Sequence, residues 1–127
     1  MSFTLASSVA SYPDLPYATI GTAILGRSYQ LSLSFVGQTR ASQLNQTYRK
    51  KTYVPNVLSF PLDEDTGEIY ICPAVARTEA PKHHLSYEQY VQYLFIHGCL
   101  HLKGYDHGDT MERQEQRYMR RFNDLAS

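Results

Sequence analysis

The chain has no tryptophan, only two cysteines, no net charge and no long apolar run, and each shortage removes a class of protein. Cys72 and Cys99 are too few and too widely separated for a disulfide framework or a cysteine-rich zinc module, so they read as reduced thiols. Lys plus Arg and Asp plus Glu both number 12, so no overall field draws the molecule toward nucleic acid or an anionic membrane. An anionic substrate must therefore be held by a local patch. No segment approaches the roughly 20 apolar residues of a membrane span, and MSFTLASSVASYPDLPY lacks the basic start and apolar stretch of a secretory leader. A cytoplasmic protein with no membrane partner is the expectation. Hydrophobic residues are 43% of 127, enough for one core, so a single domain over 1–127 is expected.

Among what is present, eleven tyrosines stand out. Scattered half-buried packing explains them more simply than an aromatic surface for stacking on bases. The segment LPYATIGTAILGRS (15–28) suits a short helix. In LSLSFVG (31–37), Leu31, Leu33 and Phe35 alternate with serines, a strand pattern. ASQLNQTYRKK (41–51) suits a helix with Leu44 and Tyr48 on one face and a basic end. VLSFPL (57–62) and EIYICP (68–73) read as neighbouring strands joined by the turn-forming DEDTG (63–67). From Ser86 a long helix runs to Gly104, with Ser86 as N-cap and Glu88 at the positive end of the dipole. A last amphipathic helix spans 110–125, with Met111, Tyr118, Phe122 and Leu125 available for the core. From residue 31 onward the order β, α, β, β, α, α predicts an α+β domain, a small mixed sheet packed with helices.

The densest chemistry lies at the end of the long helix. His97 and His101 are four apart, so their side chains emerge about 40° from one another and one turn along the axis. Gly104 lets the chain leave the helix with positive φ and fold His107 back toward the same point. Three neutral imidazoles suit one zinc ion, and stopping at three protein ligands leaves a position for water, as in a catalytic site. Cys99 points about 200° away around the helix and reads as a buried thiol. His83 and His84 lack a partner at ligand spacing and read as surface residues. Asp106 either orients an imidazole or faces water. The spacing of the histidines matches the metzincin pattern HExxHxxGxxH, but Gly98 stands where those peptidases carry their proton-accepting glutamate. Peptide hydrolysis is demoted, and a reaction dominated by charge stabilisation, such as attack on a phosphodiester, is favoured.

The run from His97 to His107, HGCLHLKGYDH, resembles the HGxLHLxGYDH signature of the YbeY family of bacterial endoribonucleases. LNQTYR from Leu44 to Arg49, NVLSFP from Asn56 to Pro61 and GEIYIC from Gly67 to Cys72 resemble that family's LNxxYR, TNVLSFP and GDIxIC segments. The resemblance covers about Leu31 to the final helix. Pro55, Glu68 and Cys99 stand where the family usually has Thr, Asp and often Ser. The resemblance implies an α+β fold distantly similar to metallopeptidases and a metal-dependent endoribonuclease specific for single-stranded RNA. It further implies action in 16S ribosomal RNA 3′-end maturation, RNA processing and ribosome quality control, with ribosomal RNA and the small ribosomal subunit as partners and no DNA. It assigns His97, His101 and His107 as metal ligands and Arg49 as the functionally important arginine.

Arg49 also makes chemical sense, because a guanidinium forks two phosphate oxygens and keeps its charge beside a metal. Without the resemblance a solvated helix-end charge is the plainer reading. Lys50 and Lys51 extend a basic rim or are simply solvated. Asn56 and Ser59 either bind substrate from a cleft-side strand or serve as capping and turn groups. Two other functions compete with the nuclease. One is a ribosome-associated assembly factor whose metal is mainly structural. The other is a metallopeptidase-like hydrolase recruiting a base from Glu64, Asp65 or Glu68.

Overall fold

Leu31, Leu33 and Phe35 are buried and the serines between them half-buried, so Gln30–Phe35 forms the strand its alternation predicts. Along the chain the elements are β1 (Ser2–Ser7), α1 (Tyr17–Leu25), β2 (Gln30–Phe35), α2 (Gln38–Arg49), β3 (Val57–Asp63) and β4 (Thr66–Ile71). They continue with α3 (Pro73–Glu79), a 3-10 turn (Ala80–His83), α4 (Tyr87–Lys103) and α5 (Asp109–Ala126). This computed structural model describes residues 1–126, with side-chain surroundings as far as Asn123. Leu125, expected in the core, lies beyond the described side chains.

The sheet order is β1-β2-β4-β3, with β1 and β4 parallel to β2 and β3 antiparallel to β4. The expected α+β fold with a mixed sheet is therefore present. In register, Leu33 and Phe35 stand beside Ile69 and Ile71, making one apolar face. Helices α1 and α4 cover it. The Tyr17 ring meets Phe95 edge-on at 5.2 Å and tilts against Phe35 at 5.6 Å, joining α1, α4 and the sheet. On the other side, Val36, Ala41 and Cys72 pack with Tyr70 in a smaller cluster that seats the start of α2.

Two elements escaped the sequence reading. β1 is an edge strand whose only inward side chain of any weight is the half-buried Phe3, and α3 is seven residues long, entered through a proline in its first turn. Expected boundaries also shift: the first helix is 17–25 rather than 15–28, the second 38–49 rather than 41–51, and the last strand 66–71 rather than 68–73. The turn between β3 and β4 is the tight form of the hairpin turn expected at 63–67, with Asp63 paired to Thr66. Tyr48, placed on one helix face with Leu44, is 67% exposed while Leu44 is buried.

Helix α4 is the axis of the domain. Its start is a reciprocal capping box, in which Ser86 Oγ accepts from Gln89 N–H at 3.1 Å and Gln89 Oε1 accepts from Ser86 N–H at 2.9 Å. From Tyr90 to Leu100 it is buried nearly all round. It also lies unusually close to the sheet at Gly98. A Cβ there would sit 2.9 Å from Ser59 Oγ and 3.1 Å from Ile69 Cδ1. Gly98→Val is expected to lower stability by roughly 1–3 kcal/mol through overpacking, read from chemical denaturation. An unchanged midpoint would show that the helix has room to spare.

Candidate metal centre

The geometry of α4 and its exit brings three imidazoles together. His97 and His101 stand one turn apart on α4, each half-buried. Gly104 ends the helix at φ +111°, where an L side chain is strained, and its N–H bonds back to the Leu100 and His101 carbonyls. Tyr105 N–H also returns to Leu100 O at 3.0 Å. The chain therefore doubles back, and the His107 ring lies 4.6 Å from that of His101 and 5.2 Å from that of His97. One ligand atom from each histidine falls within 4.8 Å of the others, an arrangement that could hold a metal ion.

The hydrogen bonds behind the rings decide what they present. His97 Nδ1 contacts the Glu115 carboxylate, and His101 Nδ1 lies 3.0 Å from the Tyr105 carbonyl oxygen. Both partners only accept, so both Nδ1 atoms carry hydrogen. The two Nε2 atoms then face one another across 3.1 Å. A proton shared between them or a cation bound to both satisfies such a pair. A single shared proton serves two rings only, whereas a metal ion could also take the third, His107, which turns toward the same point. Zinc–nitrogen bonds of about 2.0–2.1 Å at a tetrahedral angle place two nitrogens roughly 3.3 Å apart. Burial, and then the neighbouring His97, hold His101 below its ordinary pKa, favouring the neutral ligand form. The donor set and its spacing thus fit zinc.

Glu115, not Asp106, takes the orienting place. Met111, Glu115, Tyr118 and Phe122 recur on the buried side of α5, and Glu115 is 5% exposed among them. An acid on that apolar stripe was the available signal in the sequence. Tyr93 donates its hydroxyl to the same carboxylate at 3.4 Å; burial and then the charge of Glu115 push its pKa up to about 12, so it remains a donor. Asp106 is exposed.

The three histidines open onto a cleft of about 430 Å³ whose wall includes Arg49, Tyr53, Asn56 and Ser59. Arg49 closes α2, where Lys50 adopts the left-handed conformation at φ 60°. Asn45, fully buried, donates Nδ2 to Tyr53 O at 2.9 Å and folds the following loop back, so that Tyr53 OH accepts from Arg49 Nη1 at 3.3 Å. Ser59 Oγ donates to Gly98 O at 3.2 Å, tying β3 to α4. Asn56 Nδ2 donates to Glu79 Oε1 at 2.8 Å. The structure thus brings Arg49, Asn56 and Ser59 to the histidines, while Lys50 and Lys51 are exposed and outside the cleft wall. Glu64 and Asp65 lie in the β3–β4 turn, and Glu68 alternates with the core-facing Gly67 and Ile69 on the opposite face of the sheet. None of the three lines the cleft. His83 and His84 are exposed, as expected, with the His83 ring stacked on Tyr90 at 4.8 Å.

A mixed four-stranded sheet, a buried central helix and three convergent imidazoles beside an arginine-bearing cleft define a small α+β protein equipped to hold a metal ion. The model of the family described as Endoribonuclease YbeY matches residues 17–125, and the chain belongs to that family. Endoribonuclease YbeY of Pseudomonas putida strain F1 is 39% identical over 100 residues, covering 72% of this chain and 64% of the relative. That of Finegoldia magna is 41% identical over 93 residues, covering 68% of this chain and 61% of the relative. The chain thus spans a little under two thirds of these curated relatives. The solution structure of TM1509 from Thermotoga maritima shares the fold, with a TM-score of 0.69 and 24% identity over 96% of this chain and 90% of that one. No helix among the described residues is long and apolar enough to cross a membrane.

If Glu115 sets the His97 tautomer, Glu115→Gln weakens zinc binding by roughly ten- to a hundredfold. Competition with a chelating dye measures this, and unchanged affinity would leave the carboxylate a purely structural part.

Proposed function

We propose that this chain is a metal-dependent endoribonuclease specific for single-stranded RNA, with one zinc ion held by His97, His101 and His107 and residues 1–127 acting as one domain. The observation that supports it most is the pair of facing imidazole Nε2 atoms, joined by His107, in the same cleft as the Arg49 guanidinium. When bound, zinc supplies charge neutralisation at a phosphoryl oxygen and a lowered pKa for water.

The remaining work falls to the chain itself. Arg49 forks the phosphate oxygens and offsets the charge that develops on them, with its guanidinium steadied by Tyr53. Glu115 and the Tyr105 carbonyl keep two imidazoles in the ligating tautomer. Asn56 and Ser59 shape the substrate wall, although the donors of both are engaged within the protein. By family, the substrate is ribosomal RNA on the small subunit, the process 16S 3′-end maturation and ribosome quality control, and the compartment the cytoplasm.

The peptidase alternative finds no support, since Gly98 faces the sheet at close range and, among the described residues, no carboxylate lines the cleft. In a purified, zinc-loaded preparation, His101→Ala and folded Arg49→Ala should each reduce cleavage of single-stranded RNA by about a hundredfold or more. Cleavage at the parent rate by either variant would sink the mechanism. A 2′,3′-cyclic phosphate product identifies the substrate 2′-hydroxyl as nucleophile, and a linear end identifies water. If folded Arg49→Ala protein retains all cellular function, binding to the ribosome rather than catalysis is the activity.

A further inference from the structure

Next to the three-histidine cleft, and sharing Asn56, Val57 and His97 with it, is a second recess of about 260 Å³. Its chemistry is opposite to that of the Arg49 side. Glu79, at the end of α3, contributes a partly buried carboxylate, and the wall beside it is aromatic. The His83 ring stacks on Tyr90 at 4.8 Å, and Tyr90 lies near-parallel to Tyr93 at 6.0 Å.

A small network sets the polarity of the recess. Glu79 Oε1 accepts from Asn56 Nδ2 at 2.8 Å and from the Tyr90 hydroxyl at 3.1 Å. Burial and then the charge of Glu79 push the Tyr90 hydroxyl up to about 12, so it stays a donor. Asn56 must turn its NH₂ to the carboxylate, because its oxygen would be repelled there. Among the described residues, Glu79 Oε2 and Asn56 Oδ1 receive no hydrogen bond, and no Lys or Arg lines the recess, so it offers acceptor atoms beside the His83 ring.

A carboxylate repels phosphate, so the backbone of a nucleic acid does not enter. Flat aromatic walls suit a nucleobase, and two acceptors suit a base edge with two donors. Guanine presents ring N1–H and the N2 amino group side by side. Adenine and cytosine present one amino group beside a lone pair, and uracil one N–H between two carbonyls. We propose that this recess is a guanine subsite, holding the base of the nucleotide next to the phosphate bound between Arg49 and the histidines. The inference rests on the RNA-cleaving function proposed above.

Two measurements test it. On single-stranded RNAs carrying one guanosine in a uridine background, cuts should fall beside the guanosine with roughly a five- to 150-fold preference. Inosine, which lacks the N2 amino group, should reduce that preference. Glu79→Gln keeps a carbonyl for Asn56 and Tyr90 but turns the free acceptor into a donor, so the guanosine-to-uridine ratio should fall toward one. Separately, NMR titration of the full chain with guanosine 5′-monophosphate should move His83, Tyr90 and Tyr93 resonances at lower concentration than uridine 5′-monophosphate does. Cutting without base preference overturns the guanine subsite and leaves the nuclease intact. Selective guanosine monophosphate binding without any RNA cutting supports the subsite and removes the nuclease. If neither cutting nor selective binding is seen, the subsite is wrong as well.

Discussion

Two imidazole Nε2 atoms held 3.1 Å apart are the contact around which the rest of the site is arranged. What holds them is a ring of fixed acceptors: a carboxylate from α5 behind one ring and a main-chain carbonyl from the turn after α4 behind the other. Each acceptor stands where it does because of packing elsewhere. Glu115 reaches His97 because Met111, Tyr118 and Phe122 seat α5 in the core, and the Tyr105 carbonyl reaches His101 because Gly104 lets the chain reverse. That support preorganises two ring nitrogens toward one point, and the proposed metal site rests on it.

The same helix that carries the ligands also fixes the shape of the cleft. At Gly98 the absence of a side chain brings α4 close to β3 and β4, so Ser59 can bond a helix carbonyl and the strand wall stands near the histidines. A side chain there would open the cleft before it could do chemistry in it. That is a structural reason for this position to differ from the peptidase pattern whose spacing it shares. Charge then distinguishes the two adjoining recesses, with the Arg49 guanidinium lining the one that holds all three histidines and the Glu79 carboxylate lining the one that shares only His97.

Much of this was legible in the sequence where the signal is periodic or local. The alternation in β2, the Ser86 cap, Gly104 and the His97–His101 spacing depend on neighbours within a turn or a pleat, and the motif string pointed to the family. Features set by partners distant in sequence were not legible. β1 exists because β2 offers it a hydrogen-bonding edge, and its own exposed residues carry almost no pattern. α3 is too short for a helical period to show. Glu115 sat in plain view on an apolar stripe, but only the docking of α5 on α4 reveals the ring it serves. Asn56 was read as a substrate or turn residue, and its bonds to Glu79 and Tyr90 connect three elements that no local rule associates.

The carboxylate that α5 lends to His97 has a thermodynamic corollary. A ligand that binds only the assembled form stabilises it by mass action, by about 2.7 kcal/mol at a hundred times its dissociation constant. Because part of the site's support comes from a separate helix, that linkage acts on the docking of α5 as much as on the histidines. Were a metal ion to fill the proposed site, its binding would therefore also favour the seat of α5 against α4, through the contact of Glu115 with His97.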